Sequence, residues 1–238
     1  MDIPILFEDN HILVCVKPQG VLSQGGSIDK PNMVDELKKY IKEKYNKPGN
    51  VYLGLVHRLD INVGGVMVFA KTSKAARRLS KQVKDHDIKK KYLAIAKGTF
   101  EKKQDKYVDY LSKNEEKRQA IISEETFGKL AILNFSVLDQ AKLDKNIYSL
   151  IDIDLITGRF HQIRFQFFHH GHPLYGDSKY GDMINKDFFL GLYAYSLEFM
   201  HPVKKEKMIF KNKPNDERFL KFSKINKIDW RNLWNFLY

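Results

Sequence analysis

One cysteine, Cys15, stands in a chain of 238 residues, inside an apolar run. A lone thiol excludes an internal disulfide framework and fits a reducing compartment, so the expected location is the cytoplasm. No apolar stretch approaches the ~20 residues that a membrane-crossing helix needs, and no membrane partner is expected. The opening Met1-Asp2-Ile3-Pro4 has no basic region followed by an apolar stretch, so no secretory signal is expected either. Internal repeats and low-complexity linkers are also missing. Acidic residues are scarce beside basic ones: 29 Asp and Glu against 41 Lys and Arg, a formal net charge of +12. That excess favours a polyanionic partner, because each phosphate neutralised by Lys or Arg releases a counterion. A lysine-rich solvated surface would carry the same charge, and charge alone does not separate RNA from DNA or from a membrane surface.

What is present suffices for a sizeable core, with 43% hydrophobic residues and 16 Phe. Ile5-Leu6-Phe7 and the β-branched run from Ile12 to Val16 read as two strands joined by the polar turn Glu8-Asp9-Asn10. Val34, Leu37, Ile41 and Tyr45 follow at helical spacing, with Asp35 and Glu36 in the first turn and lysines in the last, as the helix dipole favours. Residues 65–70, 92–96, 130–137, 148–156 and 192–199 read as strands. Residues 73–84 and 161–170 read as helices, the latter stopped by Gly171. A turn is expected at Asp144-Lys145-Asn146. A closing helix is expected at the end of the chain, carrying Trp230, Leu233, Trp234 and Leu237. Residues 101–119 are charged and irregular and read as a solvated loop, or as a mobile excursion facing the ligand. Strands that follow one another without intervening helices predict antiparallel pairing, hence an α+β fold: a mixed, mainly antiparallel sheet with flanking helices.

Three segments combine polar residues with tight turns. In the first, His57-Arg58-Leu59-Asp60 precedes Gly64-Gly65, where the backbone can turn sharply or approach a ligand closely. Taken alone, it is also what a surface loop with an ion pair looks like. In the second, Lys89-Lys90-Lys91 runs into a strand opened by Tyr92. A positive rim beside a flat ring suits a nucleotide, since stacking a base on an aromatic gains ~1–3 kcal/mol. An amphipathic strand with Tyr92 in the core would read the same way. The third runs from Thr157-Gly158-Arg159 through His161-Gln162-Ile163-Arg164 to Gly171, Pro173, Gly176-Asp177 and Tyr180-Gly181. A helix start flanked by arginines attracts anions. His161, His169, His170 and His172 match no ordinary zinc spacing, so no metal is expected.

Together and in this order, the three segments resemble the RluA-type family of pseudouridine synthases. Lys17-Pro18 with Gly20, Ala70-Lys71, Gly98, Ala194, Leu197 and His201-Pro202 also match, so the likeness extends roughly over residues 5–203. Two departures stand out: Val63-Gly64 where the family usually has Thr-Ser, and Tyr193 where a His often precedes Ala194. The resemblance implies one catalytic domain over residues 1–238 with a central RNA-binding cleft. Residues 204–238 would be a C-terminal extension packing on it. The small N-terminal S4-like RNA-binding domain of many members is not expected, because the catalytic pattern starts within the first few residues.

The implied reaction isomerises uridines of ribosomal or transfer RNA to pseudouridine, without a cofactor, by a protein expected to be a monomer. The resemblance makes Asp60 the catalytic carboxylate, acting as nucleophile at C1′ or as base at C2′; both routes stay open. Arg164 would pair with Asp60 and favour its ionised form. Tyr92 would lie against the uracil, and Leu197 would supply an apolar wall. Arg58 would fill the gap left by the flipped base, with His57, Arg159 and His161 also contacting substrate. Two other classes compete. One is an RNA-binding chaperone derived from a synthase, which would be expected to have lost Asp60, Tyr92 or Arg164. The other is a nuclease or phosphoesterase, which would need clustered carboxylates or metal ligands.

Overall fold

The computed structural model describes residues 1–25, 30–143, 145–181 and 189–232. Two compact units emerge among the described residues, the first from Met1–Ile88 and Ser196–Asn212 with residues 230–232, the second from Lys89–Tyr195 and Lys213–Asp229. The chain is α+β.

In the first unit, β1 (Ile5–Glu8), β2 (Ile12–Lys17) and β4 (Gly64–Ala70) pair in the order β1-β2-β4. The two-residue β3 (Gly54–Leu55) pairs with the Phe69-Ala70 end of β4. The Oδ1 of Asp9 accepts from the backbone N–H of His11 and of Ile12, which closes the first hairpin. Helix α1 (Met33–Lys44) starts at Asn32, whose side chain accepts from Asp35 N, and buries Met33, Leu37 and Ile41. Its inward face is thus rotated from the expected one: Val34 is half-buried and Tyr45, at the C-cap, is 47% exposed. Tyr45 instead uses its hydroxyl to bond Glu8.

Helix α2 (Ser73–Lys84) has the expected bounds and is capped by Thr72. Its Ala75 and Leu79 join Ile12, Val14, Val66 and Val68 in one buried cluster. That cluster is completed by Leu197 and Phe199 of β10 (Leu192–Met200) and by Met208 and Phe210 of β11 (Lys207–Lys211). Strand β11 was not anticipated; its burial alternates, with Met208 and Phe210 inward, although Met-Ile-Phe is an unbroken apolar run in sequence.

The second unit holds β5 (Lys89–Lys97), β6 (Gln104–Asn114), β7 (Gln119–Ile122), β8 (Lys129–Leu143) and β9 (Asn146–Leu155) in the order β5-β9-β8-β6-β7. Here the sequence expectation for residues 101–119 fails, because most of the segment is the eleven-residue strand β6. Asp105, Asp109 and Lys113 share the parity of Tyr107 and Leu111, the two buried residues of the strand, and Asp109 is paired there with Gln166 and His170. Tyr107 packs on Phe135 and Phe167, with ring centroids 4.8 and 5.3 Å away. With three charged residues on the face of Tyr107 and Leu111, the sequence shows no apolar alternation that would mark a strand. Across the two units, the ladders β1-β2, β2-β4, β3-β4, β5-β9, β9-β8, β8-β6, β6-β7 and β10-β11 are antiparallel.

Helix α3 (Gln162–His169) packs Phe165 and Phe167 toward the same face as Leu111, Ala131 and Phe135. Gly171, at φ +84, ends it as expected. Residues 213–229 contribute α4 (Glu217–Leu220) and a 3-10 turn at Ser223–Lys227. They bury Phe219, Phe222 and Ile225. Lys145 lies in a turn and Asn146 opens β9, whereas Asp144 lies outside the described residues. Of the expected closing helix, Trp230 lies in no regular element and Leu233, Trp234 and Leu237 fall outside the described residues.

Candidate active site

The first unit presents Asp60 on the turn between β3 and β4. The preceding residue, Leu59, is buried and exchanges two hydrogen bonds with Ser23: its N–H donates to Ser23 Oγ at 3.1 Å, and its carbonyl accepts from that hydroxyl at 2.7 Å. Asp60 is half-buried, and its Oδ1 accepts from Ile61 N at 2.8 Å. Its carbonyl accepts from Val63 N, which closes the turn. Gly65 follows at φ +132, a conformation that side-chain-bearing residues rarely adopt.

Lys17, at the end of β2, ties this turn from below. It is fully buried, and its Nζ donates to the carbonyls of Ile61 at 3.0 Å and Pro18 at 2.9 Å. Gly20 N donates to the same Ile61 carbonyl, and Gln19 Nε2 donates to Asn62 O. Burial pushes the Lys17 ammonium down to about 7, against the upward pull of the Asp60 carboxylate. The carboxylate therefore has a cationic neighbour within its own unit.

The other residues expected here take varied positions. Arg58 is exposed. His57 is half-buried, and its Nε2 accepts from Val68 N on β4 at 3.2 Å, so one ring nitrogen serves the strand edge. Leu197 is 2% exposed and sits in the buried cluster of the first unit.

The second unit presents Tyr92, Arg159, His161 and Arg164. Tyr92 lies opposite Ile153 in the β5-β9 ladder and is buried. Burial raises its phenol pKa above the ordinary tyrosine value, so the ring is neutral at physiological pH. Lys91 points to the opposite face from Tyr92, where its Nζ pairs with Asp152 at 3.4 Å. Asp152 also accepts from the hydroxyl of Tyr195 at 2.9 Å. The flat ring and Lys91 thus do not share a face, and the lysine that shares Tyr92's face is Lys90.

Arg164 is 6% exposed and forms a bidentate pair with Asp177, Nε to Oδ2 at 2.7 Å and Nη2 to Oδ1 at 2.6 Å. Such a two-point contact fixes the plane of the guanidinium. Asp177 Oδ1 also accepts from the N–H groups of Lys179 and Tyr180. A Cβ at Gly181 would stand 2.8 Å from the Asp177 carbonyl, so only glycine fits there. The Arg164 guanidinium lies 5.4 Å from the Tyr180 ring centroid, and the Tyr180 hydroxyl meets His161 Nδ1 at 2.9 Å. His161 takes a left-handed conformation at the N-cap of α3. Arg159 donates from Nε to Leu130 O. Gln162 Oε1 accepts from Thr157 Oγ1 and Arg159 N, which fastens the Thr157-Gly158-Arg159 turn to the helix.

Arg164 and His161 are therefore joined in one network. Three residues that hold it or the Asp60 turn had no chemical role in the sequence reading: Asp177, Tyr180 and Lys17. The signal for Lys17 was a lysine closing an otherwise apolar strand. For Asp177 it was an acid two residues downstream of Tyr175 and flanked by turn residues, within reach of no predictable partner. Among the described residues no cluster of three or more His, Cys, Asp or Glu could hold a metal ion, and no helix is long and apolar enough to cross a membrane.

The described site thus consists of a carboxylate on a braced turn in the first unit and an arginine clamped by Asp177 in the second. Residues 11–169 match the RNA pseudouridylate synthase family. The chain belongs to that family and to its RluA type. It is 37% identical over 214 residues to the ribosomal large subunit pseudouridine synthase C of Buchnera aphidicola subsp. Baizongia pistaciae, covering 86% of this chain and 65% of the relative. It is 33% identical over 211 residues to the dual-specificity RNA pseudouridine synthase RluA of Haemophilus influenzae, covering 88% of this chain and 92% of the relative. Among solved structures, human RNA pseudouridylate synthase domain containing 4 superposes with a TM-score of 0.71 at 22% identity, over 89% of each chain, which speaks to fold. The chain spans about two thirds of the length of several curated relatives that it matches.

Proposed function

We propose that this protein is an RNA pseudouridine synthase that isomerises specific uridines in ribosomal or transfer RNA. The observation that carries the proposal is Asp60, a half-buried carboxylate on a turn fastened by Ser23, Lys17 and Gly20. The printed names of similar proteins include ribosomal large subunit synthases and a tRNA synthase, which supports both RNA classes.

Isomerisation breaks C1′–N1, turns the uracil and joins C5 to C1′. The C5 proton then leaves and N1 is protonated, so nothing is gained or lost overall. A carboxylate suffices to start this, by attack at C1′ or by removing the C2′ proton. Asp60 takes that role, Tyr92 holds the uracil face, and Arg164, held in orientation by Asp177, supports the ionised carboxylate. Arg58 occupies the space vacated by the extruded base, an extrusion that costs a few kcal/mol. His57, Arg159, His161 and Leu197 shape the surroundings of the substrate. The protein acts as a cytoplasmic monomer without a metal.

The test is pseudouridine mapping of cellular RNA with and without the gene, then complementation with Asp60→Asn. The wild-type gene restores the missing modification. Asp60→Asn restores none of it while binding RNA within a few-fold of wild type. Normal turnover by Asp60→Asn would overturn the assignment.

A further inference from the structure

Strand alternation separates the lysines that precede Tyr92. Lys91 faces one side of β5 and pairs with Asp152. Lys90 faces the other side, with Tyr92, opposite Leu155 at the end of β9. Just beyond Leu155 the chain turns through Thr157-Gly158-Arg159. A Cβ on Gly158 would lie 3.5 Å from Lys90 Nζ, so the ammonium stands directly against this turn. The side chain is part-buried, and no described residue forms an ion pair or hydrogen bond with it. Burial lowers the Lys90 pKa from the ordinary lysine value. An ammonium half out of water without an anion is costly to keep, unless a ligand supplies the anion. The charged side chain next to the turn is that of Arg159, another cation.

We propose that Lys90 binds a backbone phosphate of the RNA strand, beside the nucleotide whose base meets Tyr92. This rests on the reading of the chain as an RNA pseudouridine synthase. Lys90 is a binding residue that fixes the register of the strand against Tyr92, since phosphate contacts position a nucleic acid without reading its sequence. Gly158 matters because a larger side chain would fill the space that a phosphate oxygen needs.

The test uses Lys90→Met, which keeps length and removes charge, and Lys90→Arg, which keeps charge. The probe is unmodified ribosomal RNA from cells lacking the gene, bound at salt between about 50 and about 200 mM. Lys90→Met weakens binding roughly threefold to tenfold at low salt, on target and unrelated RNA alike, and makes the salt slope shallower by about 1. The loss in affinity exceeds the loss in rate at saturating RNA. Lys90→Arg keeps the wild-type slope. Thermal unfolding of Lys90→Met is unchanged or raised, because a poorly solvated charge has gone. An unchanged slope in Lys90→Met overturns the inference, whether or not that variant is destabilised. If the wild-type protein binds RNA but forms no pseudouridine, the enzymatic reading fails while the slope still reports on Lys90.

Discussion

Tyr92 is a single ring on which two physical demands fall together. It is buried in the β5-β9 ladder with a neutral phenol, and in the proposed function its flat face meets a pyrimidine. Stacking needs the ring and not the hydroxyl, so Tyr92→Phe keeps a measurable part of the activity. Tyr92→Ala loses the stacking energy of ~1–3 kcal/mol and falls roughly tenfold to a hundredfold. Single-turnover rates on the modified RNA separate the two, and equal rates would argue against a stacking role. At this scale the sequence was informative where a residue type is tied to a chemistry. Asp60, Tyr92 and Arg164, the residues proposed for the chemistry, stand in segments whose turns and strand the sequence marked. It was uninformative where a role depends on which face a residue takes: the three lysines before Tyr92 look alike in sequence, yet Lys91 pairs with Asp152 and Lys90 stands against Gly158. Asp177 was invisible as a partner because thirteen residues and a helix separate it from Arg164.

At the scale of elements, the turn that carries Asp60 depends on the end of β2. Lys17 holds two carbonyls there while its own charge is buried beside Asp60. Its folded pKa of about 7 lies below the ordinary value of 10.5. Between those limits the unfolded chain binds the proton that the folded chain has released, so this group makes stability rise with pH across the window. The slope is at most about 1.4 kcal/mol per pH unit. In Lys17→Met the rise is lost, and urea midpoints at about pH 7 and about pH 9 show it. The same variant loosens the Asp60 turn and lowers conversion at least roughly tenfold, as misplaced catalytic groups do. A wild-type pH slope in Lys17→Met would sink this account. Helix α2 and strands β1, β2 and β4 were legible because their apolar spacing is regular. Strand β6 was not, because four charged residues in eleven hide the buried Tyr107 and Leu111.

At the scale of the whole molecule, Glu8 is one of the carboxylates that contribute to acid stability. Asp9 is another: its burial is outweighed by hydrogen bonds with His201, His11 and Ile12, which hold its pKa low. Burial would raise the Glu8 pKa, but hydrogen bonds from Lys44, Lys71 and Tyr45 lower it to about 2. The carboxylate thereby links the end of β1 to the last turn of α1 and to Lys71 after β4. A depressed folded pKa contributes stability that is present above the unfolded value of 4.5 and lost as pH falls toward about 2. Glu8→Gln is less stable than wild type at neutral pH, and the gap closes as the pH is lowered through that window. Chemical denaturation at several pH values measures the gap, and a constant gap would refute the assignment.

The matched family segment ends at residue 169, yet the first unit's buried cluster draws Leu197, Phe199, Met208 and Phe210 from beyond it. In the second unit, Asp139 on β8 accepts from Ser223 Oγ and Lys224 N, at 3.0 and 2.9 Å. A fragment trimmed to the recognisable stretch would keep Asp60, Tyr92 and Arg164 but lose four large apolar side chains from its interior. Such a fragment should expose sticky surface and aggregate when expressed, so an inactive preparation of it would report on solubility and say nothing about chemistry.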